Sequence, residues 1–412
     1  MPKYQESLLK NGLRLITSTN ESASVAMVSL WVRTGSRHEK KDQLGYTHFL
    51  EHLLCKKINN LYSETSRKQI GAYVNAFTGR ENVHFIIELP IKYVDDSIKA
   101  LSALINDFEI NTEDFEINKK IILEEALIDE NRPIRKFGFL ILKKIFGTHP
   151  LSQEVIGSMN VIKSSTIEQL REYQRSHFVP ENSAVMVISN LPHERILAET
   201  EQYFGSWSSS QNKKENENIP VSNNHENYLY IFNETEQTRI LLNFHTPGGL
   251  NPKEEAALVI ISNYLGFGTG GFLSEKLRHE TGLVYTVKIF NTRYTDAGIF
   301  QIQTASSDPL KTVKIIFDSI YSFLQNVSLQ EIEETKEKIY NISDRFYSNS
   351  KNELNFLGEG FNLFNKLFEP ENYKKLIGET TFEEVVNIGK KYLNKNNSLL
   401  AVLGPKDIKD EI

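Results

Sequence analysis

Residues 209–226 are Ser, Asn, Lys and Glu almost throughout and carry no apolar period, and on their far side the order of elements starts again. A chain of 412 residues is too long for one typical core, and a polar break of this kind points to two domains joined by a linker. Before the break, apolar and β-branched runs at Leu13–Ser18, Val25–Val32, Ala72–Phe77, Val83–Leu89 and Ser183–Ser189 read as strands. Helical periodicity covers 93–108, the stretch from Thr112 to Pro133, and about 135–147 and 165–176, with a short helix near Ser63–Ile70. After the break, strands at Tyr228–Phe232, Arg239–Phe244, 284–290 and 298–304 accompany helices at Pro252–Leu265, at 309–325 and from Leu329 past Tyr340. The segments Val74–Glu81 and Val287–Tyr294 occupy matching places, each after a short helix and before a strand and a long helix. The expected fold class is therefore α+β, with two similar halves related by an internal repeat. Residues 1–210 and 227–412 form the halves, each an antiparallel-rich sheet covered by helices, and 211–226 is the linker.

Only the first half carries an obvious chemical motif. In Tyr46-Thr47-His48-Phe49-Leu50-Glu51-His52-Leu53-Leu54, a helix places His48 and His52 one turn apart on one face, with Glu51 slightly round the cylinder. Phe49, Leu50, Leu53 and Leu54 supply an apolar face, so the histidines look into an enclosed site. Two imidazoles on one stripe can hold a divalent metal, and the carboxylate beside them can serve as base to its water. The same spacing also suits a helix whose histidines are solvated or hydrogen-bonded, so a third ligand is needed to decide. Cys55, three residues past His52, falls away from the histidine face and reads as a packing residue.

Composition narrows the partners. Apolar content of 40% with 24% charged residues is that of a soluble globular protein. A net charge of −6 with no long basic block argues against nucleic acid or an anionic membrane. Cys55 is the single cysteine, which excludes an intramolecular disulfide framework and suits a reducing compartment. Residues 1–7 lack the apolar run of a signal peptide, and no stretch approaches the roughly 18 apolar residues of a membrane span. The expected location is cytoplasmic.

The third ligand has two candidates. Thr112 is a plausible N-cap with Glu113 and Asp114 in the first turn, and the helix it opens buries Ile117, Ile121, Ile122 and Leu123. Glu124 and Glu125 follow on adjoining faces, so one can point inward, although a run such as Glu124, Glu125 and Glu130 taken alone reads by preference as a solvated acidic face.

With these segments in view, the chain resembles the pitrilysin-type (M16) zinc peptidases, closest in length to the mitochondrial-processing-peptidase-like branch. The likeness rests on His48-x-x-Glu51-His52, Asn75-Ala76-Phe77-Thr78-x-x-Glu81, Ile121-Ile122-Leu123-Glu124-Glu125, and Leu277-Arg278-His279-Glu280-Thr281-Gly282-Leu283-Val284-Tyr285. It implies two LuxS/MPP-like α/β-sandwich halves. It also implies one zinc ion per chain on His48, His52 and Glu125, with Glu51 as general base. By the same resemblance Asn75, Ala76, Phe77 and Glu81 bind an extended peptide, and Arg278 and Tyr285 of a C-terminal half grip the substrate and stabilise the oxyanion. The implied function is endoproteolysis of short or unfolded peptides, leader or presequence peptides among them, in a clam-like chamber formed by a homodimer. A heterodimer with a related subunit, or a non-catalytic peptide-binding subunit, is the alternative. One departure stands out: the family's second acidic position, two turns before the third ligand, is Asn118 here.

Overall fold

The computed structural model describes residues 3–61, 70–106, 109–208, 227–266 and 270–412. The expected linker at 211–226 lies outside them, as does nearly all of the short helix expected near Ser63–Ile70. The chain divides into two compact units.

The first unit holds a six-stranded sheet in the order β1-β2-β6-β3-β5-β4. Its strands are β1 Lys3–Leu8, β2 Arg14–Thr19, β3 Val25–Val32, β4 Tyr73–Thr78, β5 Val83–Pro90 and β6 Ser183–Ser189. All neighbours are antiparallel except β2 with β6. β3 and β6, in the middle, are buried along almost their whole length, as apolar strands covered on both faces must be. Alternate residues of β3 serve the two faces. Ala26, Val28, Leu30 and Val32 join a core shared with the helices Tyr46–Leu61, Val94–Asn106, Ile167–His177 and His193–Phe204. Met27 and Trp31 pack on the other face against Leu354, Leu357 and Phe361 of the helix Ser350–Phe364. A Cβ at Gly358 would stand 2.1 Å from the Trp31 ring, so only glycine allows that helix to lie so close.

The second unit holds a five-stranded sheet in the order β7-β11-β8-β10-β9. These strands are β7 Tyr228–Phe232, β8 Thr238–Pro247, β9 Val284–Arg293, β10 Ala297–Ser306 and β11 Ser398–Gly404. Only β7 and β11 run parallel. Place for place this repeats β2-β6-β3-β5-β4, with β1 as the addition in the first unit. The helices Pro252–Gly266, Pro309–Asn326 and Phe382–Tyr392 share the core on one face. The helix Pro133–Phe146 covers the other through Phe137, Ile141, Ile145 and Phe146.

The two similar halves expected from the repeat are thus present, but the units are not contiguous stretches. The first includes Tyr347–Glu369 and the second includes Asn131–Ser152. Each sheet needs a helix on its outer face, and that helix comes from the other half of the sequence. Among the described residues no helix is long and apolar enough to cross a membrane.

Candidate metal centre

The histidine helix Tyr46–Leu61 is anchored by Tyr46, Phe49, Leu50, Leu53, Leu54 and Ile58, all buried in the first unit's core. That stripe, at intervals of three and four residues, leaves His48, Glu51 and His52 on the opposite side of the cylinder. Its start has no side-chain cap of its own. Gly45 precedes it at φ +98, and a Cβ there would meet the Ile156 carbonyl oxygen at 2.8 Å. The cap comes from Glu39, six residues earlier and 3% exposed. Its Oε2 and Oε1 accept the backbone N–H groups of Gly45 and Thr47 at 2.7 and 2.8 Å. Burial pushes the Glu39 carboxyl up to about 7, against the downward pull of those two N–H groups. Thr47 is further tied to the buried Tyr173 hydroxyl, 2.8 Å away. The turn that carries His48 is therefore fixed from within the core.

The helix Thr112–Glu130 approaches on a narrower stripe. Phe115, Asn118, Ile122 and Ala126 are buried, whereas Ile117 and Ile121 are 40% and 44% exposed. The expectation that Ile117 and Ile121 share the buried side with Ile122 is corrected here, because a 3.6-residue period cannot place residues 121 and 122 on the same narrow stripe. The observed stripe sets which carboxylate lies near the histidines. Glu125 lies three residues beyond Ile122 and one before Ala126, and turns toward the histidines, whereas Glu124 is exposed. Asn118 uses its side-chain amide internally, donating to the Asp114 carbonyl at 2.8 Å.

His48 Nε2 and His52 Nε2 stand 3.2 Å apart, and Glu125 Oε2 lies 3.9 and 3.5 Å from them. One ligand atom from each residue fits within a 4.8 Å cluster, the one such cluster of His, Cys, Asp and Glu among the described residues. Donors held tetrahedrally about 2.0–2.1 Å from a common zinc ion would be roughly 3.3 Å apart, so the spacing suits that ion. Burial drives His48 down to about 3, with His52 adding to the effect. Burial also lowers His52, opposed by the Glu125 charge. Both imidazoles are therefore neutral at pH 7, the form that offers a lone pair to a metal. The Glu125 side chain is 46% exposed as a whole, but its Oε2 is buried and accepts no hydrogen bond from the described residues. Two ring nitrogens 3.2 Å apart and a buried carboxylate oxygen without a hydrogen-bond partner among the described residues converge in a way that fits a cation.

Glu51 sits beside this cluster. Burial raises its pKa to about 7, moderated by a hydrogen bond from the Thr78 hydroxyl and reinforced by the charge on Glu125. Of the residues expected on the substrate strand, Asn75 and Phe77 are exposed and Ala76 is half-buried on β4, an edge strand paired only with β5. Glu81 differs: it is 5% exposed and its carboxylate is taken by Arg37 and by the Asn362 amide at 3.3 Å. Held this way it secures the turn after β4 and is not presented to a peptide. Arg278 and Tyr285 are brought together in the second unit, the guanidinium 5.0 Å from the phenol ring centroid, with Tyr285 78% exposed at the start of β9. Glu39 and Thr78 are the neighbours of the site that sequence reasoning passed over. Thr78 lay inside the quoted motif, and Glu39 could have been sought from the lack of a capping side chain at Gly45.

Comparison with known proteins gives two family matches. The family model described as Insulinase (Peptidase family M16) matches residues 14–157. The one described as Peptidase M16 inactive domain matches residues 164–339. An uncharacterized zinc protease of Mycobacterium leprae is 26% identical over 411 residues, covering 96% of this chain and 91% of that protein. A protease from Helicobacter pylori has a TM-score of 0.86 at 18% identity, over 98% of this chain and 100% of that one. A putative M16-like peptidase from Alicyclobacillus acidocaldarius has the same TM-score at 15% identity, over 98% of each. At such identities the two structures speak for the fold alone.

Proposed function

Since the chain belongs to peptidase family M16, we propose that it is a zinc endopeptidase acting on short or unfolded peptides. His48, His52 and Glu125 hold one zinc ion per chain, and Glu51 is the general base. The observation that carries this reading is the convergence of two imidazoles and a carboxylate within 4.8 Å beside the half-buried Glu51. A zinc ion in that set supplies Lewis acidity and a water made acidic enough to ionise near neutral pH. Glu51 has Oε2 engaged by Thr78, so Oε1 takes the proton from the attacking water and delivers it to the nitrogen of the leaving amine. Burial raises the Glu51 carboxyl above the usual carboxylate range, which favours a group that both accepts and releases a proton.

Asn75, Ala76 and Phe77 take the peptide as an added strand on the free edge of β4. Arg278 and Tyr285 donate to the substrate's carbonyl oxygens. A homodimer encloses the peptide, and the cytoplasm is the compartment that suits a chain with a single cysteine. Leader or presequence peptides fall within the substrate class.

The test is a matched pair of measurements. Glu51→Gln is expected to retain one zinc per chain by elemental analysis while cleavage of a mixed peptide library falls by at least about a thousandfold. Chelation abolishes wild-type cleavage and added zinc restores it. Full activity in Glu51→Gln would refute the assignment of the base. Wild-type protein with neither zinc nor cleavage would instead mark a peptide-binding subunit without catalysis.

A further inference from the structure

Among the described residues Glu51 has a single hydrogen-bond partner, Thr78, whose hydroxyl donates to Oε2 at 2.9 Å. Thr78 is 7% exposed and is the last residue of β4. Its backbone is held from several sides. It pairs with Val83 across the turn, and Gly79 N–H donates to the Asn82 carbonyl at 2.7 Å. The Gly79 and Arg80 carbonyls accept from the N–H groups of Ser36 and Arg37 at 3.3 and 2.9 Å. Glu81, paired with Arg37 and Asn362, clamps the same turn. A hydroxyl mounted on so fixed a support is a reference point for whatever it binds.

We propose that Thr78 is a positioning residue for Glu51, and that β4 thereby ties substrate docking to placement of the base. The strand whose edge receives the peptide at Asn75–Phe77 ends in the hydroxyl that aims the carboxylate. With Oε2 held, Oε1 is directed to the proton it must take. Without the hydroxyl the carboxylate turns freely about its terminal torsion, and the base is displaced relative to a peptide that is still bound. The inference rests on the peptidase reading above and adds to it a residue that touches neither substrate nor metal.

Thr78→Val keeps the shape of the side chain and removes the hydroxyl, whereas Thr78→Ser keeps the hydroxyl. The valine variant is expected to lose about ten- to a hundredfold in kcat, the range that one hydrogen bond to a charged group represents. Its KM should stay within about twofold, because the docking edge is intact. Zinc content and thermal midpoint should match the wild type, and the serine variant should recover most of the lost kcat. A merely structural hydroxyl would lower the thermal midpoint and leave kcat alone. Wild-type kcat in Thr78→Val, or a serine variant as impaired as the valine one, overturns the proposal. A crystal structure of Thr78→Val gives a readout independent of turnover: a displaced Glu51 carboxylate supports the proposal and an unmoved one overturns it. Should the wild type cleave nothing, the peptidase reading fails, while the carboxylate position in that crystal still decides the role of Thr78.

Discussion

His84 lies flat against Trp31, with ring centroids 3.9 Å apart and an interplanar angle of 8°, in a place where charge is unwelcome. Burial holds its pKa down at about 3, whereas in an unfolded chain a histidine protonates near 6.5. Between those values the unfolded state binds the extra proton, so stability rises with pH across the window. The contribution is complete above about pH 6.5 and is lost as pH falls toward 3. Replacing His84 by Phe keeps an aromatic ring on Trp31 and removes the proton. In urea titrations at pH 7 and pH 4.5, the wild type should lose more stability on acidification than His84→Phe, by roughly 1–3 kcal/mol; parallel losses would refute the account. At this scale the legible residues were those tied together by one element. His48, Glu51 and His52 share a helix, so their spacing alone states their geometry. Helical periodicity alone left Glu124 and Glu125 as alternatives and the family resemblance selected Glu125; the buried stripe Phe115-Asn118-Ile122-Ala126 shows how its helix is rotated. Glu39 was hidden, because in the sequence it is one charge among several in a loop, and only the fold shows that it caps a helix six residues on.

The element proposed to dock the peptide is β4, and its two aromatic side chains are exposed. Tyr73 and Phe77 are 51% and 59% exposed on a strand that pairs on one side only. Exposed aromatics on an unpaired edge are a liability unless something adds to that edge. If a peptide does, Phe77→Ala should leave the fold within about 1 kcal/mol of wild type in urea. It should raise KM for peptide several-fold with a smaller change in kcat; an unchanged KM would remove Phe77 from the docking strand. The segment was readable as a strand-forming run ending in turn residues, and its repeat at Val287–Tyr294 overlaps the matching edge strand in a sheet of the same order. The last strand was not read. Ser398–Gly404 is buried throughout, as is its counterpart Ser183–Ser189; neither seven-residue apolar run has a period of its own, and of the two Ser183–Ser189 alone was read as a strand. The repeat itself held the missing signal, since a second half built on the first one's plan needs a strand in the place of β6.

For the whole molecule, the interleaving of the two units has a consequence that a tandem of domains would not have. The outer face of the first sheet presents Ile16, Met27, Trp31, Ile86, Met186 and Ile188, all at most 7% exposed, and its cover is the helix Ser350–Phe364. Leu354, Leu357 and Phe361 of that helix are each 1% exposed or less. Burying three such side chains is worth about 1.5–3 kcal/mol apiece, which together is on the order of a domain's entire net stability of about 5–15 kcal/mol. A fragment ending near residue 210 would keep every residue of the metal cluster and yet leave the apolar outer face bare, a patch of the kind that drives aggregation. Residues 1–210 expressed alone should therefore fail to unfold cooperatively in urea and should bind zinc poorly. The same fragment joined through a flexible linker to residues 347–369 should recover both properties. A sharp urea transition in the short fragment at the full-length midpoint would mean that the helix is an ornament to that sheet. The metal centre would then depend on the N-terminal segment alone, as a reading of the repeat without the structure supposes.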